Sequence, residues 1–85
     1  MAKVVIYTKP GCPYCTTAMD LLGRKGADVH EIVASRDPEK KAEMIRRSGG
    51  RTTFPQIFID GAHVGGCDDM LALDDRGELD PLLAA

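Results

Sequence analysis

Cys12 and Cys15 are separated by Pro13 and Tyr14, and two thiols at that spacing can do redox chemistry. Residues three apart on a helix are neighbours. Pro13 suits the first helical position, where its missing N–H would be unpaired in any case. Cys12 then takes the N-cap, and Cys15 lies one turn further on. The Cα separation should be about 5 Å, inside the window of about 4.4–6.8 Å that a disulfide requires. The pair can therefore close and open without moving the backbone.

The two thiols are unequal. Cys12 faces the positive end of a helix dipole and unpaired N–H groups, whereas Cys15 falls on an apolar stripe. Cysteines in Cys-x-x-Cys motifs and at helix N-termini have pKa values of roughly 3.5–7.5, against about 8.5 for the free residue. Cys12 is thus expected to be the attacking thiolate, with Lys9 adding cationic stabilisation, and Cys15 the resolving thiol. Cys12 attacks a substrate disulfide, and the mixed disulfide is resolved by Cys15 or by a second thiol from solution. Both routes require an exposed Cys12.

Two plainer readings of the pair are weaker. A structural zinc site usually has four ligands, and Cys67, His30 and His63 supply no second ligand pair, so no metal is expected. A structural disulfide framework would leave one of the three cysteines over, and such frameworks are rare in reducing compartments.

The surrounding elements must hold the thiols in place. Val4, Val5, Ile6 and Tyr7 form a short continuous run of β-formers, as in a central strand buried on both faces. Cys15, Ala18, Met19 and Leu22 recur at helical spacing, and Gly23 and Gly26 bracket the helix end. Residues 29–33 read as a second strand, joined to the first as a right-handed βαβ unit. Asp37 caps a helix that opens with Pro38, shows Ala42 and Ile45 as its apolar face, and stops at Gly49-Gly50.

Residues 56–59 are a third strand, and Asp60-Gly61 turns into an antiparallel fourth strand around His63 and Val64. Asp68 onward, with Met70, Leu71 and Leu73, reads as a further helix, and Leu79, Leu82 and Leu83 as a short C-terminal turn. The order predicts an α/β fold of the thioredoxin-like type, a mixed four-stranded sheet flanked by helices on both faces.

The chain has 85 residues, of which 44% are hydrophobic and 28% charged, in keeping with one globular domain over residues 1–85. A formal charge of −2, with acidic and basic residues interspersed, leaves no nucleic-acid footprint. The longest apolar stretch is too short to span a bilayer, and the N-terminus lacks the pattern of a signal peptide. A cytoplasmic protein that binds neither membrane nor nucleic acid is expected.

Cys12-Pro13-Tyr14-Cys15 resembles the active site of a bacterial dithiol glutaredoxin, and the likeness extends over essentially the whole chain. It includes Tyr7-Thr8-Lys9, Thr53-Phe54-Pro55 and Gly65-Gly66-Cys67-Asp68-Asp69, in that order. The resemblance implies a glutathione-dependent disulfide oxidoreductase that reduces protein disulfides and protein-glutathione mixed disulfides. It also implies a monomer, glutathione as electron-donating cosubstrate, and ribonucleotide reductase among its partner proteins. The reduction potential expected for that family is about −200 to −230 mV.

By the same resemblance Pro55 is cis and faces the active cysteine, and the backbone of Phe54, where the family suggests valine, pairs with the cysteinyl part of glutathione. Thr53 belongs to this segment. Gly66, Cys67 and Asp68 match the part that holds the γ-glutamyl end, with Asp68 the first choice for the ammonium and Asp69 the second. A helix N-terminus suits a carboxylate there, and an acidic side chain suits an ammonium. Lys9 matches the lysine for the glycyl carboxylate, and Tyr14 the aromatic that borders the groove. Arg51 is a second candidate for a carboxylate. Cys67 reads as a packing residue.

Two other functions compete. One is an iron-sulfur carrier holding a cluster between two chains through Cys12 and glutathione, which Pro13 disfavours by stiffening the loop. The other is a redoxin reduced by a flavoenzyme, which the segments around Lys9, Thr53 and Gly66 argue against.

Overall fold

The computed structural model describes residues 2–85. The elements follow in the order β1 (Lys3–Thr8), α1 (Pro13–Arg24), β2 (Asp28–Val33), α2 (Pro38–Arg47), β3 (Gln56–Ile59), β4 (Ala62–Gly65), α3 (Cys67–Asp75) and α4 (Leu79–Ala84). They build one sheet in the order β2-β1-β3-β4. β1 pairs in parallel with β2 and antiparallel with β3, which in turn pairs antiparallel with β4. The expected mixed four-stranded sheet is therefore present.

The period-2 alternation of strand side chains divides the core into two layers. Val4 and Ile6 of β1 and Ile57 and Ile59 of β3 point to one face, where they pack with Ala18 and Leu22 of α1, Met70 of α3, and Leu79 and Leu83 of α4. Tyr7 and Phe58 point to the other face and pack with Ala34 and with Met44 of α2. Among the described residues, α2 is the helix that covers this second face. The run from Val4 to Tyr7 is apolar throughout because both of its sides are covered.

Local signals set most boundaries. Asp37 caps α2 by accepting from the N–H groups of Glu39 and Lys40, and Pro38 opens the helix. α1 runs through Gly23 to Arg24, and Gly26 just beyond has φ of 69°, a left-handed conformation that glycine adopts at little steric cost. Two details differ from the expectations. In α2 the buried stripe runs through Met44 and Ser48, with Ile45 half-buried, while Ala42 is exposed. Met44 packs with Tyr7 and Phe58, whereas Ala42, two residues away, lies on nearly the opposite side of the helix. The C-terminal leucines form a complete short helix, anchored by the Ala2 N–H donating to the Leu83 carbonyl at 3.1 Å. Lys25, at the end of α1, reaches Asp74 at 2.7 Å and Asp80 at 2.8 Å and so joins three helix ends.

Candidate active site

The loop after β1 delivers Cys12 to the N-cap of α1, in an extended conformation. Its sulfur accepts from the Cys15 N–H at 3.4 Å, the role a serine or aspartate oxygen plays at most helix starts. Burial alone pushes the Cys12 pKa up. The hydrogen bonds from the Cys15 thiol and from the N–H groups of Cys15 and Tyr14, together with the charge of Lys9, outweigh it and hold the pKa below the usual thiol value. Cys15 moves the opposite way, up to about 11, through burial first and its hydrogen bond to Cys12 second. Of the two thiols, Cys12 is therefore the one that ionises first as the pH rises.

Cys12 is less open than expected, at 5% exposure. The reason is the loop between α2 and β3, whose Phe54 carbonyl stands 3.9 Å from the Cys12 sulfur. The Phe54-Pro55 peptide is cis. An approach remains, because Cys12 and Cys15 both line a concavity with Lys9, Gly11, Thr16 and Met19.

A groove of about 280 Å³ lies beside the dithiol, with Thr53, Phe54 and Pro55 among its lining residues and Gly66, Cys67, Asp68 and Asp69 facing them, bordered by Tyr14 and Arg51. Tyr14 is 60% exposed and leaves the groove open on its side. The fold thus brings together Tyr14 and every residue expected from the loop at 53–55 and from the start of α3. Lys9 is the one residue set apart. It lines the concavity on the side of the two cysteines, and its charge acts on Cys12.

The start of α3 is shaped for an anion. Its N-cap is Gly66, so the cap position carries no side-chain oxygen to accept from the first N–H groups. Asp69 reaches back to accept from the Gly66 N–H at 2.8 Å and lies 3.6 Å from the Arg51 guanidinium. Asp69 is thus engaged within the fold, and Asp68, exposed like Asp69 and also lining the groove, is the neighbouring acid without those contacts. Gly65 precedes them with φ of 120°, and a Cβ there would overlap the Asp69 carboxylate. Cys67 is 4% exposed and belongs to the core, and burial together with the charges of Asp68 and Cys12 pushes its thiol pKa up.

Sequence reasoning passed over two residues near this site. Glu31 of β2 accepts from the Thr8 hydroxyl at 2.8 Å and lines the concavity of the two cysteines. Gln56 is fully buried and bonded to Thr53. Its signal was available, since it is the one polar residue in the strand Gln56–Ile59 and directly follows Pro55.

The sequence model of the family described as Glutaredoxin matches residues 4–64. Over 83 residues the chain is 59% identical to Glutaredoxin 3 of Escherichia coli strain K12, covering 98% of this chain and 99% of that one. It is 54% identical over 85 residues to Glutaredoxin of Pseudomonas aeruginosa, with 100% of both chains covered. Among solved structures it is similar to the solution structure of glutaredoxin from Brucella melitensis, at 64% identity and a TM-score of 0.84, covering 98% of this chain and 89% of that one. It is also similar to the crystal structure of a buckwheat glutaredoxin-glutathione complex, at 29% identity and a TM-score of 0.86, covering 98% and 77%.

Proposed function

The chain belongs to the glutaredoxin family, and on that premise we propose that Cys12, Cys15 and the adjoining groove form one site for glutathione-linked disulfide exchange. The protein is a glutathione-dependent thiol-disulfide oxidoreductase, with glutathione as cosubstrate and disulfide-containing or glutathionylated proteins as substrates. The observation that carries the site assignment is the position of residues 53–55. They line the groove, and the Phe54 carbonyl stands 3.9 Å from the Cys12 sulfur. A peptide lying along them has its own sulfur next to Cys12.

Cys12 is the nucleophile because its thiolate is the stabilised one. On a protein-glutathione mixed disulfide it attacks the glutathione sulfur, the S–S bond breaks, and the protein thiolate leaves and takes up a proton. Cys12 is then freed by a second glutathione thiolate, which departs as oxidised glutathione. On a protein disulfide Cys12 forms the mixed disulfide and Cys15, after losing its proton, displaces the product and closes the Cys12–Cys15 disulfide. Within the groove, the backbone of Phe54 pairs with the cysteinyl unit. The open N-terminus of α3 takes the γ-glutamyl carboxylate, Asp68 takes the ammonium, and Thr53, Pro55, Gly66, Cys67 and Asp69 form the walls. Tyr14 borders the groove, and Lys9 attracts the glycyl carboxylate while it stabilises the Cys12 thiolate.

We extend the reading to a single glutaredoxin domain over residues 1–85, monomeric and cytoplasmic, with ribonucleotide reductase among its protein substrates. The decisive experiment follows turnover of a small glutathione mixed disulfide, with glutathione, glutathione reductase and NADPH present. Cys12→Ser should be inactive, and Cys15→Ser should retain activity. An inactive Cys15→Ser alongside an active Cys12→Ser would reverse the roles, and an inert wild-type chain would end the glutathione reading.

A further inference from the structure

We infer that Gln56 is a positioning residue of the glutathione groove, fixing the backbone at residues 53–55 through its side-chain amide, and that His63 orients this amide in turn. The inference rests on the glutathione reading above.

Gln56 is fully buried at the first position of β3, next to Pro55. Burying an amide is costly unless its groups are bonded. Here both ends are engaged: Nε2 donates to the Thr53 carbonyl at 3.0 Å and to the Thr53 hydroxyl oxygen at 3.1 Å, and Oε1 lies 2.8 Å from Nε2 of His63. The chemistry of the partners fixes the orientation. A carbonyl oxygen only accepts, so the NH₂ end must face Thr53, and Oε1 must face His63. His63 must therefore carry a proton on Nε2 and donate it.

The His63 ring packs at a tilt against a neighbouring ring. It lies 5.0 Å from the Phe58 ring, which meets Tyr7 edge-on at 5.6 Å and carries the Arg47 guanidinium at 4.6 Å. A chain of contacts thus runs from the α2 face of the sheet through His63 and Gln56 to Thr53. The loop it reaches is outside the strands, and its next carbonyl, that of Phe54, stands over Cys12. The Thr53 carbonyl and the Phe54 N–H share one peptide plane, so an interaction that sets the first also sets the second. The residues that stabilise the Cys12 thiolate, Cys15, Tyr14 and Lys9, lie on α1 and the loop before it, so glutathione recognition and thiolate reactivity are separable.

The test compares Gln56→Met, Gln56→Glu and His63→Phe with wild type in two assays: steady-state turnover of a small glutathione mixed disulfide, and alkylation of Cys12 by iodoacetamide, which needs no groove. Gln56→Met keeps the side-chain length and loses the amide. It should lower kcat/KM roughly ten-fold, mainly through KM, while alkylation stays within about two-fold of wild type. Gln56→Glu sets a carboxylate against the Thr53 carbonyl and should fall further. His63→Phe changes no buried residue, keeps an aromatic ring against Phe58, and should lose about three-fold through the unanchored amide. A 15N spectrum showing His63 protonated on Nε2 is expected as well.

Unchanged kcat/KM in both Gln56→Met and His63→Phe, with an active wild type, would overturn this inference alone. Equal losses in turnover and alkylation would do the same, by showing a general disturbance of the site. A wild-type chain inert towards the mixed disulfide would remove the glutathione reading and this inference together.

Discussion

Replacing Cys15 by alanine should slow the attack of Cys12 at low pH and speed it at high pH. The Cys15 thiol is the strongest of the groups that lower the Cys12 pKa, ahead of the N–H groups of Cys15 and Tyr14 and the charge of Lys9. A hydrogen bond to a charged group contributes about 1.5–3 kcal/mol, and sulfur is a weak acceptor, so the lower end applies. Losing about 1.4 kcal/mol cuts the thiolate population roughly ten-fold wherever the pH lies below the Cys12 pKa of both forms. The remaining thiolate is more basic and hence more nucleophilic. With a Brønsted coefficient of about 0.4–0.5, a ten-fold change in basicity restores roughly three-fold in rate. The net loss at low pH is about three- to four-fold, whereas above both pKa values, where every Cys12 is ionised, the variant should be about three-fold faster. Cys15→Ser keeps a donor in place and should stay near wild type at both extremes. The assay is the pH profile of thiol release from a small neutral disulfide that lacks glutathione. A Cys15→Ala profile that superimposes on that of Cys15→Ser would refute the role given to the Cys15 thiol.

The two acids at the start of α3 should separate cleanly. Asp69→Ala removes the bond to the Gly66 N–H at 2.8 Å and should cost about 1 kcal/mol, seen as a melting point lower by roughly 4–8 °C. Asp68→Asn should shift the melting point by less and instead reduce glutathione-dependent kcat/KM about ten-fold, through loss of a charge-assisted bond. The reduced protein should also weaken in alkali. Cys15 has its pKa raised in the fold, so its contribution is complete below the ordinary thiol value of 9.0 and is lost as the pH rises through about 11. Tyr7, also raised, chiefly by burial, acts in the same direction. Cys12, which is lowered, contributes above the ordinary value and loses its contribution as the pH falls through its folded pKa. Urea unfolding of the reduced chain between pH 8.5 and 11 should show a decline that Cys15→Ala diminishes.

Much of this protein is written locally. A strand of β-formers leading into Cys12-Pro13, an Asp37-Pro38 helix start and an Asp60-Gly61 turn each fix an element through the chemistry of adjacent residues. The asymmetry of the thiols follows from the same source, because the N-cap and the apolar stripe are properties of one helix. Where local rules leave neighbouring options, packing chose. Ala42 and Met44 both stand beside Ile45 on α2, and only contact with Tyr7 and Phe58 buries Met44.

By itself, then, the sequence determined the close dithiol pair, the order of elements and the inequality of Cys12 and Cys15, all of which depend on residues within a turn or two of one another. The tertiary structure alone decided how distant segments meet. It placed the Phe54 carbonyl over Cys12, 42 residues away, and so reduced the nucleophile's exposure. It turned Asp69 to the cap and left Asp68 without that bond, both at the groove. It buried Gln56 between Thr53 and His63. These contacts exist because a four-stranded sheet brings loops from separate strands to one end, and no spacing along the chain encodes which atoms then come within hydrogen-bonding distance.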